Sequence, residues 1–507
     1  MRGLVFAVVG SALVTSVNPG IGAQGARPGP EQIAAAVDSF AKRVISERVA
    51  PAFGVAIVMD GRTVFARSYG MSDATNNLAA GDRTLWYIAS TSKSLTGFGV
   101  TLLAHQGVLS FDTPIATLLP GAQWPSGVDP KALTLARFLS HTHSLNDDAV
   151  VMSAAFTGAV PESQWPSIIR YASRRGDADL VYSNFGYNVA AMVIDAIRPE
   201  GWKRYLDSAV YKPAGMHETY ARTSSLERRI ATTHAMDRNG AWVSSPFAKR
   251  DVTMNSAGGH VATLHDLARW VTVHMDGGML DGKRVFPAEA IALSHRMLAP
   301  QTREQAKRFG PFDREGWSAG WDVGSYQGEP MVSRFGGYTS TRSHISFLPR
   351  RRIGVVAQTN GPFASSATDI VAALAYDLEA GRAGAFAIAE RALVDVARRR
   401  TQYVASVAQS DSVRASRQKP LNKPVQDFAG SYQREGYGTM SFELRGNVLW
   451  YTWGVLSGPA EVYDAGDNVL RIETPAGGTT IPFKFPLFGG GPASEIEVQG
   501  LSYKRVR

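Results

Sequence analysis

An α/β fold is predicted for this chain: one sheet assembled from early and late strands, an inserted helical lobe between them, and a separate small β domain behind. Three observations carry this expectation. Residues 54–59 and 63–68 are apolar strand-like runs joined by Asp60-Gly61-Arg62, and Asp-Gly favours a tight hairpin turn. Residues 95–290 are mostly helical by period, as in 133–139, 189–197 and 264–275, and strands return between 317 and 358 around the β-branched run 353–357. From residue 427 onward, short strand-like runs (448–453, 469–473, 481–485) alternate with Gly-rich turns.

The remaining elements follow in order. Residues 31–49 read as a surface helix ahead of the hairpin, and residues 366–407 as a long helical pattern that gives way to a basic stretch closed by Pro420 and Pro424. The expected division is therefore an export signal over 1–23, a main domain over 31–400, a linker over 401–426 and a β domain over 427–507. Solenoid-type repeats are not apparent.

With 507 residues, 44% of them hydrophobic, the chain can bury a large core. Its start carries Arg2, then an apolar run over 4–14, then small residues around 20–23, the pattern of a secretory signal peptide. That run is too short to span a bilayer comfortably, and no later uninterrupted apolar stretch of about 18 residues follows, so no transmembrane anchor is expected. The chain has no cysteine, which removes disulfides, thiolate metal sites and cysteine nucleophiles. Export without disulfides points to a bacterial envelope protein, periplasmic or secreted. The net charge of +9 is scattered over the chain, with triple runs only at 350–352 and 398–400, and no phosphate loop, zinc-finger spacing or RNA-binding aromatic motif accompanies it. A nucleic-acid partner is not expected.

The most informative local feature is Ser90-Thr91-Ser92-Lys93. At spacing i, i+3 on a first helical turn, hydroxyl and amine share a face, so the amine can reach the hydroxyl and take its proton. Ser-x-x-Lys occurs twice more, at Ser39 with Lys42 and at Ser416 with Lys419, but those pairs lie in a polar surface helix and a basic run. Ser90 differs: residues 85–89 form an apolar run into it, and Leu95, Phe98, Leu102 and Leu103 follow at helical spacing. The simpler alternative is a serine that only caps a helix.

Tyr182-Ser183-Asn184 lies on a loop entering the helix marked by Val189, Met192, Val193 and Ile197. A phenol held beside an ammonium can relay a proton between the Ser90 hydroxyl and a leaving group; the alternative is a buried tyrosine with one hydrogen bond. Asn184 offers an amide that can donate to a substrate carbonyl and accept from a lysine, or else cap the next helix. In Ser333-Arg334-Phe335-Gly336-Gly337 a cation meets glycines on a strand edge, where the Gly337 and Ser90 amides could together stabilise an oxyanion. A surface bend with an exposed arginine is the competing reading.

These stretches, in this order, resemble the serine hydrolases of the β-lactamase and penicillin-binding protein group, especially class C β-lactamases with their esterase and D-aminopeptidase relatives. Residues 88–93 are similar to the nucleophile motif, 182–184 to Tyr-x-Asn, and Arg334-Phe335-Gly336 stands in the place of Lys-Thr-Gly or His-x-Gly. Leu139-Ser140-His141-Thr142, Lys212-Pro213-Ala214-Gly215-Met216 and Ala257-Gly258-Gly259 are similar to further segments, over residues 33–380 in all. Residues 428–432 resemble the start of the small β-barrel-like domain often appended to such enzymes.

The resemblance implies an antiparallel sheet flanked by helices with an inserted helical lobe. It implies Ser90, Lys93 and Tyr182 as catalytic residues, Asn184, Arg334, Gly336 and Gly337 as substrate-binding residues, and no metal or other cofactor. Ser90 Oγ would attack an ester or amide carbonyl, Lys93 or Tyr182 taking its proton, and water would release the acid, with Tyr182 the preferred base. Substrates would be small esters, amides or peptides, cell-wall peptides and β-lactams among them. Arg334 departs from the pattern: its fork still suits a carboxylate, but a guanidinium does not share protons at working pH. His143-Ser144 replaces the usual Ser-Gly.

Three other readings compete. Gly316-Trp317-Ser318-Ala319-Gly320 fits a nucleophile elbow, but the elbow needs a helix after it, and Trp321, Val323 and Tyr326 continue as strand. His141 and His143 lack an obvious third metal ligand. A non-catalytic or slowly acylating envelope binding or sensor protein would keep the same fold.

Overall fold

The computed structural model describes residues 27–506 apart from 147, 175–179, 225, 227–229, 246–248, 309, 363, 418–420, 474–479 and 487–488, so the export signal expected over 1–23 lies outside the described residues. The helix Pro30–Ser46 opens with proline at its first position, where a missing N–H costs nothing, and buries Ile33, Val37, Phe40, Ala41 and Val44 at helical spacing. The hairpin follows. Strands Ala52–Met59 and Arg62–Asp73 pair antiparallel across Asp60 (φ 48°) and Gly61 (φ 76°), the two positive values that a twist-matched two-residue turn requires.

Nine strands form one antiparallel sheet in the order Ala299–Pro300, Asp313–Trp317, Asp322–Tyr326, Glu329–Tyr338, Thr341–Leu348, Ile353–Thr359, Ala52–Met59, Arg62–Asp73, Leu78–Ala79. An interior pair of strands joins the two ends of the main domain: Phe53 pairs with Thr359 and Met59 with Ile353. Strand Ala52–Met59 is buried on both faces. Ala52, Ala56 and Val58 join the core beneath the helical lobe, whereas Phe53, Val55 and Ile57 join the core beneath Pro30–Ser46 and Ala364–Glu379. The lobe side of the sheet carries Ser92–His105 and Leu264–Met275, and the lobe itself includes Leu135–Leu139 and Phe185–Ile197.

Eight strands from Gly430–Arg434 to Leu501–Arg505 close into a barrel. Closure pairs Tyr432 with Arg505, and Met440, Phe442, Tyr451, Trp453, Phe483, Phe485 and Tyr503 are buried in its core. Two of its turns sit on the helical lobe: the Val455 N–H donates to the Thr157 carbonyl at 2.7 Å, and the Tyr437 hydroxyl to the Tyr171 carbonyl at 3.3 Å. A Cβ on Gly454 (φ +59°) would lie 1.9 Å from the Thr157 oxygen, so only glycine permits this contact.

Within the stretch expected as a linker over 401–426, residues 401–416 are helical. The long helical pattern is two helices, Ala364–Glu379 and Ala385–Ser416, and the second runs on because its far end is docked: Val407 is buried and Arg414 pairs with Glu461 of the barrel. Tertiary contact there outweighs the polar composition.

Buried histidines make this fold acid-sensitive. Burial lowers His260 to about 3 and His295 to about 4, and pushes His274, which meets His295 at 2.9 Å, well below its usual value. An unfolded histidine titrates near 6.5. Below that pH the unfolded chain binds protons the folded chain refuses, so the stabilisation is complete above about 6.5 and is lost as pH falls towards the folded values. His260 and His295 together lose roughly 2.7 kcal/mol per pH unit in that window. The urea midpoint is therefore expected to fall steeply between pH 7 and pH 5; a flat midpoint would contradict the buried neutral state.

Candidate active site

The serine turn is built by backbone strain and close packing. Ala89 takes a left-handed conformation (φ 46°), which costs a residue with a Cβ about 1–2 kcal/mol, and it turns the chain from the apolar run into Ala89–Thr91 and the helix Ser92–His105. Thr91 Oγ1 donates to Ser343 Oγ at 2.8 Å and ties the turn to the sheet. Gly336 completes the fit, since a Cβ there would lie 2.2 Å from the Ile88 oxygen and 2.9 Å from the Ser90 nitrogen. Gly337, its exposed neighbour, would carry a Cβ in ordinary contact only, 3.8 Å from the Thr341 oxygen.

Lys93 is fully buried, and its ammonium donates to Ser90 Oγ at 3.0 Å, Asn184 Oδ1 at 2.6 Å and the Ala257 carbonyl at 2.7 Å. None of these three acceptors is a carboxylate. Asn255 Oδ1 accepts from the Ala257 N–H at 3.0 Å and so holds the carbonyl that faces Lys93. The Asn184 carboxamide is available to Lys93 because a neighbour serves the helix start: Ser183 Oγ accepts from the Phe185 N–H at 3.1 Å, and Asn184 makes no side-chain cap bond.

Tyr182 reaches the same hydroxyl from the other side. Its Oη donates to Ser90 Oγ at 2.7 Å, while 42% of the residue remains exposed. Hydroxyl, amine and phenol thus converge from three elements, with the serine half-exposed.

His141 backs the tyrosine, a placement that sequence reasoning missed although the Leu-Ser-His-Thr stretch was visible. Its Nδ1 accepts from the Ser183 N–H at 3.1 Å, and its ring centroid lies 4.7 Å from Tyr182 and 4.5 Å from Trp317. Burial, then the nearby Lys93 and Arg334 cations, hold it well below the usual histidine range, so it is a neutral acceptor. His143 instead stacks on Phe138 at 4.9 Å. Among the described residues no group of three or more His, Asp or Glu is gathered as a metal site.

Arg334 is drawn inward. Only 2% exposed, it donates through Nε to the Ser90 carbonyl at 3.0 Å, through Nη1 to Asp322 Oδ2 at 3.2 Å and through Nη2 to Tyr182 Oη at 3.2 Å, with its guanidinium 4.7 Å from the Trp317 ring centroid. Asp322, 1% exposed, is a second residue missed from sequence. A single aspartate at the start of a strand carries no local signal of its partner.

The other candidate serines lie elsewhere. Ser39 and Ser416 are exposed and bond their own helices, and Lys419 lies outside the described residues. Ser318 is fully buried and donates to the Trp321 carbonyl at 3.1 Å.

Comparison with known proteins agrees with this architecture. The chain is similar to penicillin-binding protein 4 of Amycolatopsis lactamdurans, 23% identical over 326 residues that cover 63% of this chain and 84% of the relative. The octameric penicillin-binding protein homologue from Pyrococcus abyssi shares the fold over 92% of this chain and 98% of its own, with a TM-score of 0.59 at 18% identity. The D-amino acid amidase from Ochrobactrum anthropi SV3 shares it over 65% and 91%, with a TM-score of 0.52 at 18% identity. A family model described as beta-lactamase matches residues 37–378, most of the chain and every strand of the sheet from Ala52–Met59 to Ile353–Thr359. By that match, the chain belongs to the beta-lactamase family.

Proposed function

We propose that this protein is a serine hydrolase of the class C β-lactamase-like type that cleaves ester or amide bonds through an acyl-enzyme on Ser90. One observation carries the reading: Ser90 Oγ lies 3.0 Å from the Lys93 amine and 2.7 Å from the Tyr182 phenol. Likeness to a D-amino acid amidase and to penicillin-binding proteins supports acyl chemistry at amides.

Attack begins when Ser90 Oγ bonds to the substrate carbonyl carbon as its proton passes to Lys93 in its neutral amine form or to Tyr182 as phenolate. The amides of Ser90 and Gly337 are assigned to the developing oxyanion, each donor of this kind contributing about 2.7–4 kcal/mol. Gly336 serves that geometry by letting the strand lie on the serine turn. Collapse of the intermediate breaks the bond to the leaving group, which receives the transferred proton. Water then attacks the acyl carbon, with Tyr182 as preferred base, and restores Ser90. Asn184 holds Lys93 and faces the substrate carbonyl.

Residues 31–400 are taken as the hydrolase unit and 427–507 as the β domain, with export to the periplasm or medium directed by residues 1–23. Among the described residues no helix is long and apolar enough to cross a membrane.

A fluorophosphonate or penicillin probe followed by intact mass tests the assignment. Wild type is expected to gain one adduct and Ser90→Ala none. Labelling lost in Ser318→Ala instead would move the nucleophile to the elbow serine, and a wild type that never labels would favour an envelope binding protein.

A further inference from the structure

Among the described residues, the cations beside the serine are engaged by groups of the protein itself, and this bears on which substrates fit. Recognition of a carboxylate by arginine depends on presenting two parallel N–H groups of the fork. Arg334, only 2% exposed, presents little of its fork to solvent: three of its five N–H groups donate to the Ser90 carbonyl, Asp322 and Tyr182, and its face lies on Trp317. Turning towards a ligand would abandon Asp322, a carboxylate 1% exposed that lies 3.2 Å from this guanidinium as its ion-pair partner.

Neighbouring cations are committed as well. Lys93 faces Ser90, Asn184 and the Ala257 carbonyl. Arg342, across the ladder from Gly337, leans to the other face of the sheet, with its guanidinium 3.9 Å from Asp369. Lys249 rests 3.9 Å from the Tyr338 ring centroid and donates to the Ala155 and Thr253 carbonyls. On the open side, Val181 and Tyr182 are exposed and offer an apolar rim.

Resting on the serine-hydrolase reading, we propose that the site takes esters and amides whose groups next to the scissile bond are uncharged, in preference to β-lactams and peptides that carry a carboxylate there. Arg334 is then a positioning residue. It holds the Ser90 carbonyl and the Tyr182 phenol in place and balances Asp322, in the position where the resemblance alone suggests a carboxylate receptor.

The test uses the full-length wild type and two matched pairs. One is a phenyl butyrate bearing a meta methyl ester against the same ester with a free meta carboxylate; the other is a D-amino-acid amide against the D-aminoacyl dipeptide with a free C-terminus. Acylation of Ser90 is followed by intact mass and turnover by kcat/KM. The neutral member of each pair is expected to lead by about tenfold or more, the worth of roughly one unmet charged contact. Equal or faster turnover of the carboxylated member, with Ser90 acylated, overturns this inference and leaves the hydrolase reading standing. Acylation of Ser90 by no substrate overturns both.

Arg334→Lys supplies a second readout. A positioning role lowers kcat for both members of a pair by a similar factor and leaves the ratio of their KM values unchanged. A rise in KM confined to the carboxylated member would show that Arg334 reads the substrate. Should this variant fail to fold, the wild-type comparison still decides.

Discussion

Lys93→Ala is expected to slow acylation of Ser90 by about 10³–10⁴-fold, the upper range for loss of a positioned proton acceptor. The amine is the buried partner of the serine hydroxyl, and the acceptors around it, Asn184 Oδ1 and the Ala257 carbonyl, have no proton-accepting capacity comparable to an amine. Single-turnover measurement with a chromogenic ester reads the acylation step directly. Lys93→Arg separates charge from proton transfer: a guanidinium keeps the positive charge but does not give up its proton, so it is expected to be nearly as slow. Rescue by arginine, or an alanine variant within tenfold of wild type, would reassign the proton to Tyr182 alone.

The second large effect is on stability. Asp322→Ala strands the Arg334 guanidinium, 2% exposed, without its counter-ion, and removal of one partner from a buried pair costs about 3–5 kcal/mol. A lower urea midpoint reads this loss. Adding Arg334→Met removes the stranded charge and is expected to recover a large part of it, because the desolvation penalty disappears with the guanidinium. Additive losses in the double variant would mean that the pair is not coupled in the way its 3.2 Å separation implies.

What could be read before folding follows from how local each signal is. Ser90 and Lys93 meet because one helical turn brings them together, and the Asp60-Gly61 hairpin forms because two residues set its backbone. Tyr182 and Asn184 were visible only as a motif; their arrival at Lys93 depends on the docking of a helix whose period was visible but whose partner was not. Arg334 shows the limit. Its position in the strand was readable, whereas the direction of its fork depends on Asp322, which pairs with it only after neighbouring strands align. The extension of Ala385–Ser416 beyond 407 was hidden for the same reason, since Glu461, which anchors Arg414, lies in the barrel.

Pairing of Phe53 with Thr359 inside the sheet has a consequence for synthesis. The hairpin emerges from the ribosome early, with one ladder satisfied and a row of backbone donors and acceptors open on its apolar side. Its permanent neighbour is made only after the whole lobe has been translated. Such long-range closure is slow, so the open edge of the early hairpin stays without its neighbour, and prone to pairing with other chains, until residues 353–359 arrive.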